Sequence, residues 1–155
     1  MRTTQQNNEV LYSDEQVVRI QHADIEFLKQ QSSLNERQRI RLCTHKDVDD
    51  KLHEMFIVHG KDAYIRPHKH LHKSESVHVI EGEVDVVVFD DSGGIAQIIR
   101  MGEYSTGRHF YFRIAEPRYH TLLIHSDILV FHETTTGPFN YSDTIFADWS
   151  PDQSN

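Results

Sequence analysis

The sequence predicts an all-β jelly roll with one short helix near its start. Three observations predict it. From residue 36 onward, apolar and polar residues alternate with period two, as strands with one buried face require. Turn clusters such as Glu81-Gly82 and Asp90-Asp91-Ser92-Gly93-Gly94 cut the chain about every ten residues. Only the stretch after Asp24 has a helical pattern, with Ile25, Phe27 and Leu28 set against Glu26, Lys29 and Gln30. Strands this short favour a closed or double-sheet arrangement, which leaves no long open edge.

The elements follow in order. Residues 1–12 open with a polar, amide-rich run and read as a flexible tail. Ser13 to Gln16 fits a capping box, so a short helix could start there, with a short strand over 17–20 as the competing reading. Asp24 is the better N-cap, opening a helix of about two turns. Ile40 and Leu42 then alternate with Arg39, Arg41 and Cys43 in a first strand of the barrel. Further strands are expected over 52–58, 63–70, 77–80, 84–89, 95–101, 108–114, 120–124 and 128–133. The domain runs over 13–151, and 152–155 is a second flexible tail. The 155 residues suit one domain.

Composition narrows the function. A formal net charge of −8 argues against a nucleic-acid partner, because phosphate binding needs a basic footprint. The single cysteine, Cys43, excludes an internal disulfide and a cysteine-rich zinc site, and reads as a buried structural thiol. No apolar run approaches the roughly 18 residues of a membrane helix, and no signal core opens the chain, so a cytoplasmic protein with no membrane partner is expected. The chain does hold 12 histidines, an unusual number for its length.

Four of them fall in residues 66–82, RPHKHLHKSESVHVIEG. His68 and His70 are two apart, so in a strand they share a face and can converge on one ion. Pro67 suits the start of such a strand. Glu75 can return a carboxylate to the same pocket at the head of the next strand. Val77 and Val79 share its parity and would face inward, while His78 would face out. A fourth ligand must come from elsewhere, and His120, after the turn Ala115-Glu116-Pro117-Arg118-Tyr119, is well placed at a barrel mouth. Three imidazoles and a carboxylate suit one divalent transition metal ion: zinc, iron, manganese, nickel or copper. His72 is a rim residue or a substitute ligand. Arg66 and Tyr64 share the parity of His68, so Arg66 could clamp a substrate carboxylate or phosphate, and Arg41 is a second candidate. Asp143, Phe146 and Trp149 lie in a tail expected to pack across the barrel.

These residues resemble a known family. The pattern H-x-H, four residues, E, six residues, G is the first motif of the cupins, and it is met here by His68, His70, Glu75 and Gly82. Pro117 and His120 are similar to the end of the second motif. More closely, YIRPHKHLHKSES at 64–76, VVVFDDSG at 86–93, GPF at 137–139 and FADWSP at 146–151 resemble the WbuC-type cupin-fold metalloproteins found with bacterial surface-polysaccharide genes. Arg41, Cys43 and His45 look like that family's arginine-to-histidine strand. The resemblance spans 37–151. Pro117 stands where the family has glycine, and Ser74 and Ser76 replace a commoner proline and threonine. The resemblance implies a cupin jelly roll, a homodimer, and a small-molecule metalloenzyme acting on a sugar or sugar nucleotide in O-antigen assembly. Isomerisation, epimerisation and dioxygenation stay open, as do a dioxygenase outside polysaccharide metabolism, a metal-dependent binding protein without turnover and an assembly factor.

Overall fold

The computed structural model describes residues 1–152; of the tail expected at 152–155, residues 153–155 lie outside the described residues. Among the described residues, twelve strands and one α-helix follow one another. They are β1 (Thr3–Asn7), β2 (Val10–Ser13), α1 (His22–Leu34), β3 (Arg39–Cys43), β4 (Leu52–Gly60), β5 (His68–His70) and β6 (Glu75–Glu81), then β7 (Glu83–Phe89), β8 (Ile95–Gly102), β9 (Tyr111–Ile114), β10 (Tyr119–Ile124), β11 (Ile128–Thr136) and β12 (Thr144–Phe146). A seven-stranded sheet has the order β1-β2-β3-β4-β11-β6-β9, and a five-stranded sheet the order β12-β5-β10-β7-β8. Every pairing is antiparallel except β2 with β3.

The opening residues correct two expectations. A flexible tail was expected over 1–12, but β1 and β2 form a ribbon there. Its anchor is apolar: Val10 and Leu11 are both buried, and they point into different cores. Neither a helix at Ser13 nor a strand over 17–20 forms. Ser13 ends β2, and Val17 is 73% exposed, so nothing there holds the chain in either form.

The helix is longer than two turns and starts earlier. Asp24 is not the N-cap; it sits in the first turn and accepts a hydrogen bond from the Gln21 backbone N–H at 3.0 Å, half of a capping box. The buried face is Ile25, Leu28 and Ser32, at helical spacing, while Phe27 is exposed. Leu28 is fully buried, and such a side chain contributes about 2–3 kcal/mol on leaving water. At the C-terminal end the Asn35 amide donates to the carbonyls of Asn8 and Arg39, tying the helix to the β1–β2 turn and to β3.

Two cores result, because a strand shows its faces alternately. Ile40, Leu42, Val58 and Val130 pack under α1 on the outer side of the large sheet. Cys43, Met55, Val77, Val79, Val84, Val86, Leu129 and Phe131 fill the space between the sheets. Gly82 turns the β6–β7 hairpin at φ +95°, a conformation that favours glycine. The strand expected over 63–70 is shortened to β5. Residues 64–67 instead lie under the C-terminal segment, whose Ala147 backbone N–H donates to the Pro67 carbonyl.

Candidate metal centre

β5 supplies His68 and His70, β6 opens with Glu75, and β10 supplies His120. His120 and His68 are cross-strand partners, and Glu75 enters from the facing sheet. The three histidines offer nitrogen atoms that all lie within 4.8 Å of one another. Glu75 Oε2 is 3.0 Å from His70 Nε2, and Glu75 Oε1 is 3.3 Å from His120 Nε2. His120 and Glu75 are buried; His68 and His70 are half-buried, at the open side of the cluster.

The rings are held from behind. His68 Nδ1 donates to the Arg66 carbonyl at 2.8 Å, and His120 Nδ1 donates to the Arg118 carbonyl at 2.9 Å. In both cases the carbonyl belongs to the residue two before the histidine. His70 Nδ1 is paired with Thr144 Oγ1 at 3.2 Å. A carbonyl only accepts, so each of those Nδ1 atoms carries its hydrogen and Nε2 is left to face the cluster. Backing of this kind fixes tautomer and orientation in metal-binding histidines.

Electrostatics follow from the packing. Burial pushes the His68 imidazole down to about 4, helped by its neighbours His120 and His70. Burial alone would raise Glu75, but its contacts with His120 and His70 outweigh it and hold the carboxyl well below the usual range. His120 is likewise buried, yet Glu75 holds its proton on and raises it. This donor set fits a divalent ion: three imidazole nitrogens and one carboxylate converge, with the far sides of the rings already satisfied.

The remaining expected residues fall into two groups. Arg66 and Tyr64 reach the C-terminal segment. Arg66 bonds Ser150 Oγ at 3.1 Å, the Ala147 carbonyl at 3.2 Å and Asp152 at 3.2 Å, and its guanidinium lies 5.3 Å from the Phe146 ring centre. Tyr64 donates its hydroxyl to the Pro151 carbonyl. Arg41 is exposed, on the face of β3 that also carries the inward Cys43. The Cys43 thiol is buried and pushed up to about 11, which suits an inert thiol. His72 is exposed in a left-handed backbone turn, His78 faces outward, and Val77 and Val79 face inward. The tail does pack across the barrel: the Trp149 ring lies 4.9 Å from Phe89 and 5.9 Å from Tyr119.

One residue escaped the sequence reading. Glu133, on β11, is opposite Met55 on one side and Val77 on the other. Both are core residues between the sheets, so Glu133 points inward toward the cluster. Burial, with the charge of Glu75 behind it, pushes its carboxyl up to about 8 against the pull of Arg41 and His120. The available signal was parity: Leu129, Phe131 and Glu133 alternate along one strand. A cavity of about 440 Å³ lies elsewhere, against Tyr64, Pro67, Leu123, Trp149 and Pro151, and none of the three histidines lines it.

The comparisons agree with this architecture. The chain is similar to protein SO0799 from Shewanella oneidensis, with 8% identity, a TM-score of 0.53 and 66% of each chain covered. It is also similar to a variant of the Bacillus subtilis oxalate decarboxylase OxdC, with 18% identity, a TM-score of 0.50, and coverage of 64% of this chain and 25% of that one. The cupin domain of Schizosaccharomyces pombe Cnp3 aligns with 16% identity and a TM-score of 0.49 over 64% of each chain. The chain therefore spans about two thirds of the first and last of these and a quarter of the decarboxylase. Likeness at such identities shows the fold alone, and the fold is an all-β cupin jelly roll with a short helix. No curated protein matches the sequence. The family model described as a domain of unknown function, DUF6016, matches residues 20–101, a span that holds His68, His70 and Glu75.

Proposed function

The chain belongs to DUF6016, a domain of unknown function, and from the chemistry of its site we propose that it is a metal-dependent enzyme acting on a small molecule. One observation carries the reading: three imidazoles within 4.8 Å of one another, backed at Nδ1 and joined by a buried carboxylate. His68, His70, Glu75 and His120 are the residues that would hold the ion. A bound divalent ion supplies Lewis acidity at a substrate oxygen. His68 and His70 are the half-buried members of the cluster, and the substrate oxygen would approach on their side.

The finer reading draws on the resemblance to the WbuC-type metalloproteins. It makes the substrate a sugar or sugar nucleotide of bacterial surface-polysaccharide assembly. Arg41 is the cation this reading keeps for an anionic substrate group, because the polar atoms of Arg66 and Tyr64 already bond the C-terminal segment. A homodimer belongs to the same reading, supported by the edge strand β8, where Ile95 and Ile98 are exposed. Light scattering at dilute concentration tests the dimer.

The test of the metal reading is elemental analysis of untagged protein beside His68→Ala and His120→Ala variants. The wild type is expected to carry about one equivalent of a divalent transition metal, and the variants much less. Equal metal content in all three would remove the metal centre from consideration. A thermal-shift screen of nucleotide sugars then tests the substrate class, with stabilisation of the metal-loaded wild type as the expected result.

A further inference from the structure

A cross-strand row runs through the barrel: Tyr12, Cys43, Met55, Glu133, Val77 and Phe112, each opposite the next. All its members but Glu133 are apolar, aromatic or a thiol. A carboxyl in such a row costs several kcal/mol unless it is partnered or kept neutral. Glu133 forms no ion pair or hydrogen bond with another described residue. Two residues further along β11, Thr135 is the cross-strand partner of Glu75. Glu133 and Glu75 are therefore diagonal neighbours on one inner face, about 7–8 Å apart at the backbone. Glu133 is half-buried, and its two cross-strand partners, Met55 and Val77, are closed off from solvent.

Resting on the metal reading above, we propose that Glu133 is the hydrogen-bond donor to an oxygen of the substrate held at the three histidines. It selects ligands that turn an anionic or carbonyl oxygen toward β11: carboxylates, enolates and hydroxamate-like groups. The placement explains why a carboxyl stands in an apolar row. Like Thr135, Glu133 is an inward position of β11, and it stands diagonal to Glu75 rather than opposite it. The site then has complementary parts. The histidines and Glu75 bind from one side, and a neutral acid closes from the other. A donor must hold its proton, and the apolar Met55 and Val77 on either side of the carboxyl favour the neutral form.

The test uses the full chain loaded with cobalt(II) and acetohydroxamate as the probe, read by the visible spectrum of the cobalt near neutral pH. Glu133→Gln keeps a donor of the same shape. Glu133→Leu removes it and suits the apolar row, so it is expected to fold. All three proteins are expected to take up the same amount of cobalt. The probe should bind Glu133→Gln as it binds the wild type, and Glu133→Leu about tenfold more weakly, the loss of one hydrogen bond to an anion. Equal probe affinity in the leucine variant overturns the proposal. So does tighter binding by the glutamine variant, which would mean that Glu133 is ionised and repels the probe. Loss of cobalt in both variants would make Glu133 a metal ligand instead, and also overturns it. Failure of the wild type to take up cobalt overturns the metal reading and this proposal together, and uptake with unchanged probe affinity overturns this proposal alone.

Discussion

His70 and Thr144 are directly opposite one another in the β5–β12 pair, and His70 Nδ1 meets Thr144 Oγ1 at 3.2 Å. A hydroxyl from the penultimate segment of the chain thus aims a ring near its middle. The other two rings of the cluster are backed by carbonyls, which no side-chain change removes. His70 is the one whose aim depends on a side chain. Thr144→Val keeps the shape and deletes the hydroxyl, so it is expected to weaken divalent-metal binding about tenfold, in the range found for loss of an outer partner. Competition with a chromophoric chelator measures this. Unchanged affinity would mean that the β5 backbone alone orients His70.

The same contact marks what the sequence could and could not show. Period-two alternation placed His68, His70, Val77 and Val79 on their faces, because side-chain direction in a strand is a local property. The spacing from His70 to Glu75 and Gly82 is local too. Thr144 could not be found that way, since it reaches His70 only through the pairing of two distant strands. Glu133 escaped for a related reason: its parity was readable, but its closeness to Glu75 depends on the β6–β11 register. Arg66 was placed on the face of His68 by a strand pattern, but the strand begins only at His68, and the segment that occupies the Arg66 guanidinium lies at 147–152. At the opening of the chain, polar composition suggested a tail. Two adjacent buried residues, Val10 and Leu11, were enough to make it a ribbon.

Stability should fall in mild acid through a histidine outside the cluster. His59 is 9% exposed, its Nδ1 has no hydrogen-bond partner among the described residues, and burial beside Arg39 and Arg41 pushes it down to about 4. In the unfolded chain the ring takes its proton at the ordinary 6.5. Between those values the unfolded state binds more protons, so stability is full above about 6.5 and declines as the pH falls toward 4. The shift corresponds to roughly 3 kcal/mol. Urea unfolding of metal-free protein near neutral pH and near pH 4.5 measures the decline. His68, also pushed down to about 4, adds to it in the same direction. His59→Leu should lose clearly less stability than the wild type over that window; equal slopes would contradict the assignment.

Arg66 should matter for the C-terminal segment before it matters for metal. Its guanidinium joins Ser150, the Ala147 carbonyl and Asp152, and it covers Phe146. That segment carries β12, which borders the ligand strand β5. Arg66→Ala is expected to cost about 1–3 kcal/mol, from partly buried hydrogen bonds and lost packing. It should also speed proteolysis within 143–152, while metal stoichiometry stays near that of the wild type. Chemical denaturation and limited proteolysis followed by mass spectrometry read the two effects. A variant with intact stability and an unchanged cleavage pattern would return Arg66 to the list of substrate contacts.

Gly82 tests whether the motif's glycine is a matter of backbone or of metal chemistry. Its φ of +95° is disfavoured for any residue with a Cβ, and a methyl group there would run into the Ile128 carbonyl and the Ser126 hydroxyl. That hydroxyl is already engaged, accepting from the Glu83 backbone N–H at 2.9 Å and donating to the Ile128 carbonyl at 2.6 Å. The neighbours therefore have little freedom to move aside. Gly82→Ala is expected to destabilise the fold by about 2 kcal/mol or more, from backbone strain and the displaced hydrogen bonds together. Glu75 stands at the far end of β6 from this turn. Whatever fraction remains folded should then bind metal with wild-type affinity. A variant of normal stability with lost metal binding would show that the hairpin turn reaches the cluster by a route other than the strand it terminates.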